Sequence, residues 1–193
     1  MKSSILRAGV ALACALGLAA CGGGNGDLLL QGSISGITKD GLILTNNGGD
    51  DLAVLANATS FQFSRAVSTD DEFNIEVKAK PSNVDTCTVT NGKSRANYYT
   101  IAQVSIACII KKHPLDIKIE GLTTNGLAVV NGTDRKDVPA NTTVQKMEPV
   151  YEDGAYGVTI LQQPAGQTCA VINGSGTMGS TDTNNNNVVV RCS

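Results

Sequence analysis

The sequence predicts an all-β protein built from two similar domains, and three observations lead to this expectation. The chain repeats itself after its first residues, its apolar residues alternate with a period of two, and clusters of turn-forming residues separate the alternating runs. At 193 residues the chain is long enough for one large domain or two small ones. Charged residues make up 17% of it and apolar residues 41%, which excludes a solvated, disordered chain.

The internal repeat sets the domain organisation. Three segments recur in the same order at an offset of 82 to 85 residues: 35–42 as 120–127, 87–92 as 169–174, and the run that ends at Cys108 as the run that ends at Cys192. Because the order is kept and the offset hardly drifts, we expect two copies of one domain. The predicted boundaries are 28–112 for the first copy and 113–193 for the second.

Apolar and polar residues alternate within each copy, as in a strand with one buried face. Three runs show this most clearly: Phe61 and Phe63, then Phe73, Ile75 and Val77, then Tyr156, Val158 and Ile160. Turn signals such as Asn91–Gly92 and Asn173–Gly174 separate the runs. No stretch after residue 21 keeps a helical period. Six or seven short strands in about 80 residues are typical of a β-sandwich, Ig-like in the broad sense but without the tryptophan of a true immunoglobulin domain.

The first residues have the pattern of an export signal. Lys2 and Arg7 precede an apolar run from Ala8 to Ala20, which at about 20 Å of helix is too short to span a bilayer. The run ends in Leu-Ala-Ala followed by Cys21, which resembles the bacterial lipobox. The resemblance implies a signal peptide at 1–20 that is cut before Cys21, with acyl chains on that cysteine. The alternative is an ordinary secretory signal in which Cys21 has no role.

A Gly-rich segment at 21–27 is predicted to be a flexible tether behind the lipid anchor. The residue after Cys21 is Gly22 and not Asp. By the sorting rule of the lipoproteins that the lipobox resembles, this implies the outer membrane as the location, facing either the periplasm or the exterior. Several acyl chains would bind the membrane far more firmly than a single chain does.

Four further cysteines are predicted to form one disulfide in each copy. Four cysteines allow three pairings, but the repeat selects Cys87 with Cys108 and Cys169 with Cys192. An oxidising compartment outside the cytoplasm would let both bonds form. A zinc site is the alternative; the wide cysteine spacings and the single imidazole, His113, argue against it.

The pattern from Gly36 to Leu52, and the run from Gly154 to Cys169 in the second copy, resembles a recurrent module of Gram-negative lipoproteins and surface proteins. The resemblance covers residues 28–193 and implies a fold, not a reactive site. The copies also differ from each other. Asp134 to Asp137 are interpreted as standing where the first copy has its Asn-Gly-Gly run.

Four motifs could carry chemistry, and each has a simpler interpretation. Gly174 to Gly179 spells G-x-G-x-x-G, but turn formers follow where a nucleotide site needs a helix, so a loop is expected. Asp182, Asn184 and Asn186 begin like a calcium loop that lacks its Gly and final Glu. His113 is interpreted as a linker residue without a chemical role. The acidic loop residues are interpreted as solvated turns, with calcium binding as the alternative: Asp50, Asp51, Asp70, Asp71 and Glu72.

The sequence therefore predicts a non-enzymatic envelope lipoprotein with no catalytic residue, cofactor or metal site. The net charge of −2 becomes −4 once Lys2 and Arg7 leave with the leader, which makes nucleic acid an unfavourable partner. We expect a structural or adhesion-type module whose partners are the membrane, through its lipid, and an envelope protein, a glycan or a host surface. The alternatives are a ligand- or calcium-binding lipoprotein and an envelope hydrolase that uses His113.

Overall fold

The computed structural model describes residues 27–181 and 187–193, which form β-strands and one short 3₁₀ turn at Thr100–Ala102. The predicted signal peptide, Cys21 and most of the predicted tether lie outside the described residues. Within the described ranges, no helix is both long enough and apolar enough to cross a membrane.

The strands fall into two groups of eight, one for each copy of the repeat. In the first domain they are β1 Leu28–Ser35, β2 Leu42–Asn46, β3 Gly49–Val54, β4 Ser60–Val67, β5 Glu72–Ala79, β6 Val84–Thr90, β7 Lys93–Arg95 and β8 Val104–Ile110. In the second they are β9 Lys112–Glu120, β10 Leu127–Asn131, β11 Asp134–Val138, β12 Val144–Tyr151, β13 Ala155–Gln162, β14 Cys169–Ile172, β15 Ser175–Thr177 and β16 Val189–Cys192.

Each domain is a sandwich of two four-stranded sheets with the same strand order. The first domain has sheets β4-β1-β8-β6 and β3-β2-β5-β7, and the second has β12-β9-β16-β14 and β11-β10-β13-β15. In both domains the first strand runs parallel to the last, and the other neighbours are antiparallel. The predicted fold, all-β with two tandem Ig-like sandwiches, is confirmed. The expected number of strands was too low because β7 and β15 have only three residues each.

Alternation along the strands builds a separate core in each domain. The first core contains Phe61, Phe63 and Phe73, and the rings of Phe61 and Phe63 meet edge to face at 5.9 Å. The second core has no Phe and is filled instead by Met147 and Tyr156 among aliphatic residues. Val, Ile and Leu from alternate positions complete both cores.

Both predicted disulfides are present and occupy equivalent positions. Cys87 on β6 lies directly opposite Cys108 on β8, and Cys169 on β14 lies directly opposite Cys192 on β16. Each bond therefore joins the last strand of a sandwich to the edge strand beside it.

Glycine is required where each domain leaves its first strand. Gly36 follows β1 with φ +78°, and Gly121 follows β9 with φ +76°. A Cβ atom at these positions would overlap the carbonyl oxygen of Cys108 or of Cys192. The chain thus crosses the end of the disulfide-bonded strand so closely that only Gly fits, and it does so in both copies.

Candidate functional site

The junction between the domains holds a cluster of charged and polar side chains. The turn between β12 and β13 places Asp153 in the left-handed region, at φ 63°, which Asp adopts more readily than most residues. From the first domain, Lys39 in the β1–β2 loop reaches this turn, with its Nζ 2.7 Å from Asp153 Oδ2 and 3.3 Å from Glu152 Oε1. The two domains are therefore joined by an ion pair that branches to two carboxylates.

His113 lies inside this cluster, near the start of β9. Its side chain is buried, and its Nε2 is 3.2 Å from Oε2 of Glu152, whose side chain is only 3% exposed. The backbone N–H of Glu152 also donates to the carbonyl of Lys111, at 2.9 Å. His113 therefore has a structural role at the junction that the sequence did not indicate: the imidazole packs under the turn and contacts Glu152.

Asn83 fixes the same junction from the loop before β6. It is fully buried, and its Nδ2 donates to Thr38 Oγ1 at 2.8 Å and to Asp153 Oδ2 at 3.3 Å. The backbone carbonyl of Asn83 accepts a hydrogen bond from the N–H of Lys111 at 2.9 Å. One side chain thus links the β1–β2 loop of the first domain to the β12–β13 turn of the second.

The charges at the junction favour an ionic contact over a reactive amine. The carboxylate of Asp153, helped by that of Glu152, accepts hydrogen bonds from Lys39 and raises the pKa of its ammonium above the ordinary lysine value. A lysine must lose its proton to act as a nucleophile, so this environment works against covalent chemistry at Lys39. The arrangement can orient two domains, and it supplies no activated nucleophile at that position.

A groove of about 620 Å³ runs beside the junction, and its wall includes Asp85, Ile109 and His113. Lys111 and Lys112 also line it, but their ammonium groups contact other residues of the protein. Lys111 Nζ donates to the carbonyl of Ser82 at 2.7 Å, and Lys112 Nζ lies 4.6 Å from the centre of the Tyr151 ring. The basic groups of this groove are thus committed to contacts within the protein.

The acidic residues that were considered for calcium are mostly engaged with other groups. Asp51 pairs with Lys78, Asp71 Oδ2 accepts from its own turn at 2.8 Å, and Glu72 pairs with a neighbouring arginine at 2.7 Å. Across residues 27–181 and 187–193, no three acidic, His or Cys side chains converge as metal ligands. The calcium-like segment at Asp182, Asn184 and Asn186 lies outside the described residues.

Two local expectations from the sequence are wrong. The Gly174–Gly179 segment was expected to be a loop, but Ser175–Thr177 forms β15 and pairs with β13, because its small residues fit against that strand. Asp134 to Asp137 do not replace a turn. They belong to β11, and the turn lies just before them at Gly132.

Four residues that make the junction were not predicted from the sequence: Lys39, Asn83, Glu152 and Asp153. One signal could have drawn attention to Lys39, which stands where the second copy has Thr124. A difference at one position of a repeat shows that the two copies meet different surroundings. It does not reveal the partner, since Lys39 and Glu152 are 113 residues apart along the chain.

Comparisons with known proteins show remote similarity only. No protein-family model matches the sequence, and no characterised protein matches it in sequence comparison. Among solved structures, the C-terminal fragment of the pilus adhesin SpaC from Lactobacillus rhamnosus GG has a TM-score of 0.41 at 8% identity, with 84% of this chain and 96% of that chain covered.

Two further structures are similar at a lower level. The two B repeat units of the Staphylococcus aureus collagen-binding protein give a TM-score of 0.25 at 12% identity, with 86% of this chain and 49% of that chain covered. The shaft pilin SpaA from Lactobacillus rhamnosus GG gives 0.26 at 7% identity, with 86% and 97% covered. The fold assignment above rests on the strand order and not on these similarities.

Proposed function

We propose that this protein is a non-enzymatic module of the Gram-negative cell envelope, anchored by lipid on Cys21, which presents an interaction surface on a stiff two-domain unit. The observation that supports the stiff two-domain unit is the construction of the junction. A single residue, Lys111, separates β8 from β9. The ion pair between Lys39 and Glu152 is a second connection between the domains. A one-residue connection with an ion pair beside it restricts bending, whereas domains that act independently usually have exposed, flexible linkers.

The proposed anchor suits such a unit. Between Cys21 and the first residue of β1, Leu28, the chain can span at most about 25 Å when fully extended. Lipid on Cys21 would therefore keep the first domain near the membrane and place the second domain beyond it. The disulfide in each domain suits a compartment outside the cytoplasm, where such bonds persist.

The anchor can be tested by labelling cells with radioactive palmitate. We expect the wild-type protein to take up label and to fractionate with the outer membrane, and Cys21→Ser to abolish the labelling. Cys14→Ser is the matched control, because Cys14 lies in the predicted leader and should leave the labelling unchanged. Equal labelling of wild type and Cys21→Ser would disprove lipidation at this residue.

The non-enzymatic part of the proposal has its own test. The purified chain should turn over no ester, peptide or glycan substrate above the background of a heat-treated sample. Turnover that disappears in His113→Gln, with the thermal midpoint unchanged, would favour the hydrolase instead. Cross-linking in intact cells, followed by identification of the attached molecule, would then give the partner directly.

A further inference from the structure

The outward positions of one sheet in the first domain are occupied by uncharged side chains. Along β4, β1, β8 and β6, the core-facing positions hold residues such as Leu30, Phe61 and Ile106, and the positions between them face outwards. These outward positions carry hydroxyl, amide or apolar side chains. We call this surface the neutral face, and it consists of Leu29, Gln31, Ser33, Ser35, Ser60, Gln62, Ser64, Ala66, Thr86, Thr88, Thr90, Ser105, Ala107 and Ile109.

Only two charged residues occur in these four strands, and both lie where the strand register shifts. Arg65 falls at the irregularity of β4 and lines a cavity with Asp50, on the side of the other sheet. Asp85 falls at the irregularity of β6 and lines the junction groove with Lys111. Both charges therefore border the neutral face: Arg65 shares its cavity with Ala66, and Asp85 shares the groove with Ile109.

The equivalent sheet of the second domain is charged, so lack of charge is not a requirement of the fold. Its four strands contain seven charged residues: Lys112, Asp116, Lys118, Glu120, Lys146, Glu148 and Arg191. Glu120 there accepts hydrogen bonds from Lys118 at 2.8 Å and from Arg191 at 3.0 Å. Two sandwiches of the same topology therefore present opposite kinds of surface, and the difference points to a separate role for the neutral face.

The neutral face has a cleft beside an exposed pair of aromatic rings. The cleft, of about 300 Å³, lies between Gln31 and Gln62, which are opposite each other on β1 and β4, and Ala102 of the 3₁₀ turn. Tyr99 immediately precedes that turn, three residues before Ala102. Tyr98 and Tyr99 are 84% and 80% exposed, although the chain contains only four tyrosines and no tryptophan.

The loop that carries these rings is held by its own hydrogen bonds. Asn97 Oδ1 accepts hydrogen bonds from the N–H groups of Tyr99, at 2.9 Å, and of Thr100, at 3.1 Å. Thr100 Oγ1 donates to the carbonyl of Arg95 at 2.6 Å. The two rings are thus exposed on an ordered backbone, and ordering such a loop on binding would cost little entropy.

We propose that the neutral face, with Tyr98 and Tyr99, binds an uncharged glycan. Hydroxyl and amide groups donate and accept hydrogen bonds with sugar hydroxyls without the desolvation cost of a buried charge. An exposed aromatic ring can stack on the C–H face of a pyranose, and the cleft beside Tyr99 offers the amides of Gln31 and Gln62 to the same sugar. This inference rests on the proposed function as an interaction module and names its ligand class.

The chemistry of the face disfavours the other partners. An anionic polymer or an anionic lipid surface is recognised by lysines and arginines, and the face contributes none. A stable protein interface has a desolvated core with large apolar or arginine side chains at its centre. The larger apolar residues of the face, Leu29 and Ile109, lie near the ends of the two central strands, β1 and β8, and the middle of the face is composed of Ser, Gln and Ala.

The proposal is tested with the full chain, purified in detergent. The probes are cellohexaose, maltohexaose, chitohexaose and mannohexaose, with polygalacturonate as the anionic comparison, and binding is followed by calorimetry and by tyrosine emission. We expect at least one neutral oligosaccharide to bind and polygalacturonate not to bind. Tyr99→Ala should weaken that binding at least tenfold, and so should Gln62→Glu, which adds a charge to the cleft. Tyr151→Ala, an exposed tyrosine of the second domain, is the matched control and should bind as the wild type does.

The outcomes separate the glycan proposal from the proposed function. Failure of every neutral oligosaccharide to bind, or equal weakening by Tyr99→Ala and Tyr151→Ala, overturns the glycan proposal. A photo-cross-linker placed at Gln62 that captures a protein in cells also overturns it, while the interaction module stands. Failure of the proposed function itself would instead appear as turnover by the wild-type chain that disappears in His113→Gln.

Discussion

The pair formed by His113 and Glu152 gives the sharpest test of how the junction is stabilised. Both side chains are almost fully buried, and the two groups that meet are 3.2 Å apart. We consider three variants: His113→Leu, Glu152→Leu and the double substitution. Each single variant removes the contact between the two side chains and places an apolar side chain beside the remaining polar group, whereas the double variant replaces both groups.

The expected magnitudes follow from burial. Breaking a buried pair by removing one partner typically costs about 3–5 kcal/mol, because the remaining polar group stays desolvated. Replacing both partners by apolar residues of similar size is often close to neutral, so the double variant should lie within about 1 kcal/mol of the wild type. Replacing Glu152 also removes one partner of Lys39. This loss should cost little, because the Lys39 ammonium still pairs with Asp153 at 2.7 Å and its side chain is 38% exposed to water. The two single effects should therefore be far from additive.

The measurement is equilibrium unfolding in urea, followed by tyrosine emission. Tyr98 and Tyr99 are already exposed in the folded chain, whereas Tyr156 in the second core is buried, so the emission change reports mainly on the second domain. Glu120→Leu is the matched control, because its ion pairs lie on the outer face of the same domain, and it should cost much less. A double variant that loses the sum of the two single losses would refute the reasoning that burial couples His113 to Glu152.

Three further predictions concern the fold. Replacing both members of the Cys87–Cys108 disulfide by Ser should lower the free energy of unfolding by about 3 kcal/mol in urea, as expected for a closed loop of this length. Gly36→Ala should lower the thermal midpoint clearly more than Gly48→Ala, because both have positive φ but a Cβ at Gly48 meets nothing within 4 Å. Hydrogen bonding by Lys118 lowers the pKa of Glu120. The carboxylate therefore stabilises the fold at pH values above the ordinary carboxyl pKa, and this stabilisation is lost as the pH falls through the lowered pKa. Glu120→Gln should make the free energy of unfolding depend less on pH in the acid range.

The fold could be predicted from the sequence because its signals are local or duplicated. Alternation of apolar residues identified the strands around Phe61 and Phe73, and clusters of turn-forming residues, such as Asn91–Gly92, identified the ends of the strands. The cysteine pairing followed from the repeat, which removed the choice among three pairings. The short strands β7 and β15 were missed, since three residues cannot show a period of two.

The junction could not be predicted in the same way, because its partners are far apart in sequence. His113 follows two lysines and precedes Pro114, a setting typical of an exposed linker. Its burial depends on a turn 39 residues later, and nothing in the local sequence indicates that contact. The neutral face, by contrast, was within reach of the sequence, because the outward positions of β1, β4 and β6 can be read as soon as the buried positions are assigned.

Positions that keep the same residue type in both domains are explained by backbone geometry. Asn91 and Asn173 have φ of 56° and 54°, and the glycines after them approach a neighbouring strand. A Cβ at Gly92 would lie 2.7 Å from the carbonyl oxygen of Ile75, and one at Gly174 would lie equally close to the corresponding strand of its own domain. Any chain that folds into this sandwich meets the same steric limit there, so these residues carry information about folding and none about partners.

Positions where the domains differ are explained by what each domain touches. Lys39 extends from its loop to the second domain, whereas Thr124 at the equivalent position donates from Oγ1 to the carbonyl of Ala165 at 2.7 Å, within its own domain. The sheet faces differ in the same sense, with ion pairs around Glu120 where the first domain has hydroxyl and amide groups. Because both domains satisfy the same fold, stability of the fold alone gives no reason for one face to be charged and the other neutral. A contact made by one domain and not by the other does give such a reason, and for the neutral face the chemistry of that contact is hydrogen bonding and aromatic stacking without charge.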